Sequence, residues 1–145
     1  MDETVKEIME CMRSLMAAAK PQKGAHFMKS GVSDLTLSQL DLMAYLYEHK
    51  RVKMSDLAKH AGVKMPSMTE TVNKLVSLKV LQREHDEKDR RTVWVSVTKN
   101  VEKMVCAHIR SKEEQFSGIM GVLTSQEKKQ ALNILKKIQK KMERK

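Results

Sequence analysis

Residues 86–98, Asp86-Glu87-Lys88-Asp89-Arg90-Arg91-Thr92-Val93-Trp94-Val95-Ser96-Val97-Thr98, constrain this chain more than any other stretch. Every residue from Asp86 to Arg91 is charged, so that segment is expected to be a tip in solvent. A period-two pattern follows at once. Val93, Val95 and Val97 fall on one side, and Thr92, Trp94 and Ser96 on the other. Val80-Leu81-Gln82-Arg83-Glu84 can supply the partner strand. The whole predicts a β-hairpin that holds two arginines away from the core.

The rest of the chain has helical periodicity and few breakers, with 5 glycines and 2 prolines in 145 residues. Hydrophobic residues make up 41%, enough for the core of a single domain with extensions. Aromatics are 3% against 12 methionines, so the interior is expected to be aliphatic and pliable. No apolar run is long enough to span a membrane. The acidic start Met1-Asp2-Glu3-Thr4 does not read as a secretory signal. Cys11 and Cys106 give no disulfide framework, and a cytoplasmic home is expected. The formal charge of +10 suits a polyanionic partner, although residues 99–145 alone carry +7 of it. Charge by itself therefore does not separate a DNA-binding protein from one with a lysine-rich tail.

Residues 4–19 form an apolar helical stripe through Val5, Ile8, Met9, Met12, Leu15, Met16 and Ala19. Pro21 is expected to end it. Gln22 to Asp34 read as a connection pinned by Phe27 and Met28. Thr36 with Gln39 has the pattern of a capping box, opening a helix whose inward face is Leu37, Leu40, Met43, Ala44 and Tyr47. Val52-Lys53-Met54 suits one short strand. Ser55 reads as the N-cap of a short helix from Asp56 to His60. A turn at Ala61-Gly62-Val63 leads to a helix with Pro66 in its first turn. That helix is expected to bury Met68, Val72, Leu75 and Val76. It presents Ser67, Thr69, Glu70, Asn73, Lys74 and Ser77. Beyond the hairpin, a helix is predicted over roughly 99–120. A second capping box, Thr124 with Glu127, opens the last one.

Two helices joined by a turn, the second with a polar face, form a helix-turn-helix. A helix fits the DNA major groove when its exposed face carries short donors and acceptors near its N-terminal half. Ser67, Thr69, Asn73 and Lys74 meet that need, Asn73 as a bidentate partner for adenine, and Glu70 could accept from cytosine N4. Ser55 and Lys64 are further candidates for DNA contact. The competing reading is an ordinary solvated helix face, and the hairpin directly downstream weighs against it. At the tip, Arg91 is the candidate for a narrow minor groove. Asp89 is expected to orient it through a forked hydrogen bond. Lys88 and Arg90 would lie near phosphates. The bland alternative is a surface turn with an ion pair worth about 0–1 kcal/mol.

Asp89-x-Arg91-x-x-x-Val95-x-Val97-Thr98 resembles the wing signature of MarR-family transcriptional regulators, with valine where leucine is usual at 97. Leu35-Thr36-x-x-Gln39, Asp56-Leu57-Ala58 and Ser67-x-Thr69-x-x-Val72-x-Lys74-Leu75 are similar to that family's helix-turn-helix unit, in the right order. The resemblance implies a mainly α fold with a small β-hairpin wing. Residues 36–98 would be the winged-helix DNA-binding domain, and 1–35 with 99–145 a helical dimerisation region. It further implies a homodimer on a palindromic double-stranded DNA operator, acting as a repressor. Recognition helices would enter successive major grooves, and wings the flanking minor grooves. A small-molecule effector would bind at the junction of the two regions. Two departures stand out. Glu70 replaces a frequently basic residue, and Lys79 stands where a helix-ending glycine is usual.

No cofactor, no metal and no enzymatic activity are expected. His108 lacks a second ligand one turn away, and no catalytic motif is present. Cys106 reads as buried filler. The alternatives are a thiol-based redox sensor using Cys11 and an interaction module that docks protein or RNA.

Overall fold

The computed structural model describes residues 2–18 and 35–143, and it divides into two units, Met1–Leu35 and Thr36–Lys145. The expectations for Ala19, the helix end at Pro21 and the Phe27–Met28 pin lie outside the described residues. In the first unit, α1 covers Glu3–Ala18. Asp2 Oδ1 accepts the Thr4 amide at 3.0 Å, occupying one of the free N–H groups at the helix start. The predicted stripe from Val5 to Met16 lies along α1, and all of it is exposed.

The second unit begins with α2 (Leu37–Glu48), closed by the expected box. Thr36 Oγ1 accepts the Gln39 amide at 3.2 Å, and Gln39 Oε1 accepts the Thr36 amide at 3.0 Å. The buried face of α2 is Leu40, Leu42, Met43 and Leu46. It is wider than predicted, and Leu37 is exposed. The reason is that α2 packs on two neighbours, β3 (Val93–Val97) on one flank and α5 (Glu102–Met120) on the other. Both contacts are long-range and leave no trace in local periodicity.

Strand β1 (Val52–Lys53) runs directly into α3 (Met54–Ala61). Lys53 holds the extended N-cap position with no side-chain bond. Ser55 therefore lies inside the helix, which starts two residues earlier than predicted. The predicted strand ran one residue too far, through Met54, which instead opens α3. Gly62 at φ 66 ends α3, its amide bonded to the Lys59 carbonyl and the Val63 amide to that of Ala58. Helix α4 (Met65–Ser77) carries Pro66 in its first turn and buries Met68, Val72 and Leu75. Val76 is only half-buried.

Strand β2 (Leu81–His85) and β3 form the hairpin, with Arg83 opposite Val95 and Glu84 opposite Trp94. The sheet is antiparallel in the order β1-β3-β2. After β3 comes a 3-10 turn, Lys99–Val101, and then α5, so the predicted long helix starts three residues late. The core of the unit is Leu40, Met43, Leu46, Leu57, Val72, Leu75, Val80, Val95 and Val105. Asp41 on α2 receives Lys112 Nζ at 2.8 Å and His108 Nε2 at 3.0 Å, both from α5. Burial is the largest single influence on the Asp41 carboxyl and would raise its pKa. The bonds and charges of Lys112 and His108 outweigh it, and the net is a lowered value. Thr124 and Glu127 close the second capping box at the start of α6 (Ser125–Met142). Phe116, Ile119, Leu132, Leu135, Ile138 and Met142 stand exposed along α5 and α6.

Lys79 does adopt the left-handed conformation, at φ 59. Its amide bonds the Val76 carbonyl and the Val80 amide that of Leu75, the pattern of a glycine-ended helix. The conformation costs a lysine about 1–2 kcal/mol. Glycine would relieve that at an unfolded-state cost of about 0.4–1 kcal/mol. Lys79→Gly is therefore expected to raise stability by about 0.5–1 kcal/mol, read as a higher urea midpoint. An unchanged or lower midpoint would mean that the junction carries no strain.

Candidate nucleic-acid interface

The polar face of α4 arises because its apolar residues recur at 68, 72 and 75, which leaves Ser67, Glu70, Asn73 and Lys74 exposed and Thr69 half-exposed. Thr71 Oγ1 donates to the Ser67 carbonyl at 3.0 Å. The Ser67 hydroxyl itself stands at the N-terminal end of the helix.

The wing tip is organised by Asp86. Its Oδ1 accepts the amides of Lys88 at 2.9 Å and Asp89 at 3.2 Å, and its Oδ2 accepts the Trp94 indole N–H at 2.9 Å. Asp86 is thus half-buried, unlike the fully exposed tip expected from its charge. Three donors replace the water that a carboxylate needs. The Arg51 guanidinium lies 4.6 Å from the Trp94 ring centroid and Lys53 Nζ 5.5 Å from it. Arg51 also meets Glu84 at 3.4 Å. His85 donates from Nδ1 to the Arg90 carbonyl at 2.8 Å.

Asp89 Oδ1 accepts both the Arg91 backbone amide at 3.1 Å and Arg91 Nε at 3.3 Å. One oxygen holds main chain and side chain together, in place of the predicted fork. A two-residue separation lets that oxygen reach the amide first, and the guanidinium tip stays outward. The Arg91 side chain is 95% exposed.

Thr69 of α4, Ser55 of α3 and Arg91 of the wing line one cleft of about 290 Å³, together with Lys53, Arg83 and His85. Helix α4 and the wing therefore open onto the same space. The Asp86 carboxyl is held below the ordinary aspartate value of 3.8, chiefly by the Trp94 indole and then by the Lys88 and Asp89 amides. A lowered folded value stabilises the tip above that ordinary value, and the contribution is lost as pH falls through the lowered one. The sole tryptophan is Trp94, so its emission reports the tip. An acid transition below pH 3.8 is expected in the native protein and absent in Asp86→Asn. The same transition in both proteins would remove Asp86 as the organiser.

Residues 35–93 match the model described as MarR family. The match covers the winged-helix unit, 59 of the chain's 145 residues. The chain is 26% identical over 137 residues to the HTH-type transcriptional repressor MdtR of Bacillus subtilis (strain 168), covering 94% of this chain and 86% of that one. Its fold is that of the Streptococcus pneumoniae FabT structure solved in complex with DNA, at a TM-score of 0.82 and 19% identity, over 96% of this chain and 97% of that one. The S. aureus MepR–DNA complex is similar at a TM-score of 0.71 and 20% identity, over 97% and 99% of the two chains. The winged helix inferred from the wing signature is thus the fold of this chain.

Sequence reasoning overlooked Arg83. Its guanidinium donates to Asn73 Oδ1, joining β2 to the exposed face of α4. The available signal was topological: a strand that returns along the helix it follows carries its residues past that helix's last turns. Cys106 was also misread. It is half-buried beside Tyr47, in a second cleft of about 400 Å³ with Glu102, Lys103 and Arg110. That cleft lies between Tyr47 of α2 and the α5 residues that line it, so Cys106 faces solvent.

Proposed function

We propose that this chain is a homodimeric DNA-binding transcriptional repressor that recognises a palindromic operator. The single observation that carries the reading is the shared cleft, onto which Thr69 of α4 and Arg91 of the wing both open. A duplex whose major groove took α4 would pass the wing at the next minor groove. Ser67, Thr69, Asn73 and Lys74 would face bases, with Glu70 able to accept from cytosine N4. Arg91 would enter the minor groove, held by Asp89. Lys88, Arg90, Lys64 and Ser55 would contact the backbone. FabT and MepR, solved on DNA, and MdtR, named a repressor, support the reading by likeness.

The exposed apolar faces of α1, α5 and α6 support assembly through the regions 1–35 and 99–145, which would act as the dimerisation region. The cleft beside Tyr47, where α2 meets α5, is the place we assign to a small-molecule effector that releases the DNA.

Selection of preferred duplexes from a random pool tests the function and its symmetry together. Enrichment of an inverted repeat, with log affinity falling linearly in log salt, is the expected result. Salt-sensitive binding with no preferred sequence would instead indicate a general nucleic-acid or interaction module.

A further inference from the structure

The bond between Arg83 and Asn73 fixes which atom of the amide faces which way. A guanidinium has donors only, so Asn73 must give it the oxygen. The Nδ2 hydrogens are left as the group that can turn outward from α4. Asn73 is exposed, in the same turn as Glu70 and Lys74, so that nitrogen belongs to the polar face of the helix. The bidentate adenine pairing expected of Asn73 needs its oxygen turned into the groove beside the nitrogen. Turning it there would break the tie to β2. A donor-only group matches a different edge, that of guanine, which offers N7 and O6 as acceptors and no major-groove donor.

We propose that Arg83 is a specificity-determining positioning residue: by holding Asn73 Oδ1 it makes Asn73 a donor-only reader that prefers guanine to adenine at the base it faces. This rests on the DNA-binding reading above. Arg83 reaches the helix from the wing's first strand and also lines the cleft shared by Thr69 and Arg91. It thereby couples the wing to the reading helix, and Asn73 acquires a preference that α4 alone would not give it.

The test is selection from a random duplex pool with the full-length protein and its variants. Asn73→Ala identifies the base step, as the one whose preference disappears. At that step the native protein is expected to favour guanine. Arg83→Met, which keeps the stem and removes the donors, is expected to shift the guanine-to-adenine ratio toward adenine by about tenfold. Asn73→Asp keeps the tie to Arg83 and removes the Nδ2 donor, so the guanine preference is expected to vanish in a protein that folds normally. That second variant keeps the test intact if Arg83→Met unfolds. A change in overall affinity alone would reflect a merely structural role, so the readout is base preference. An unchanged ratio at that step in Arg83→Met or in Asn73→Asp overturns the proposal, as does a native adenine preference there. If Asn73→Ala alters no position while the native protein still selects a sequence, Asn73 is not a reader and the proposal falls alone. If the native protein selects no sequence at all, the DNA-binding reading itself has failed.

Discussion

Deleting residues 1–35 is expected to leave a folded monomer whose operator affinity is lower by about two orders of magnitude or more. Folding should survive because the buried core runs from Leu40 to Val105, entirely within the second unit. Assembly should not. Val5, Ile8, Met9, Met12, Leu15 and Met16 are each at least 47% exposed on α1. That stripe is too long and continuous to be scattered surface apolarity. Linking two half-site readers makes the second contact effectively intramolecular, a gain of about 10²–10⁴ that is lost when the link is cut. Sedimentation gives the mass, and a titration on the selected operator gives the affinity. Leu15→Glu offers a gentler version, placing a charge in the stripe without shortening the chain. A truncated protein that sediments as a stable dimer would remove α1 from the interface.

Arg91→Ala is expected to weaken operator binding by about 1–3 kcal/mol, or roughly 5- to 150-fold, with the dimer and its stability unchanged. The side chain is 95% exposed, and its one ion pair lies at the surface, so the free protein loses almost nothing. The effect should therefore appear in binding and not in the urea midpoint. If Arg91 lies in a narrow minor groove, the loss concentrates on operators with A·T-rich flanks. If it meets only phosphate, the loss is uniform and the salt slope falls by about one. Unchanged affinity would end the assignment of the wing to DNA.

The residues that declare their structure locally did so reliably. Thr36 with Gln39 and Thr124 with Glu127 are capping boxes because every atom in the reciprocal bonds lies within four residues. The alternation of Val93, Val95 and Val97 sets the β3 face, and Gly62 marks a left-handed helix end. Features that depend on distant partners were misjudged. Ser55 lost its cap role because α3 opens at Met54, directly after β1, and Leu42 and Leu46 are buried on α2, which packs on both α5 and β3.

The order of elements, the wing and the polar face of the reading helix were thus determined by the sequence itself, since period and capping act over one or two turns. Only the tertiary structure decided that Asp86 would be anchored by Trp94 and that Arg83 would hold Asn73. It also decided that Arg91 and Thr69 would share a cleft. Those meetings depend on how a twisted hairpin returns across a helix. Side-chain spacing along one chain does not encode that three-dimensional path, which packing of the shared core selects.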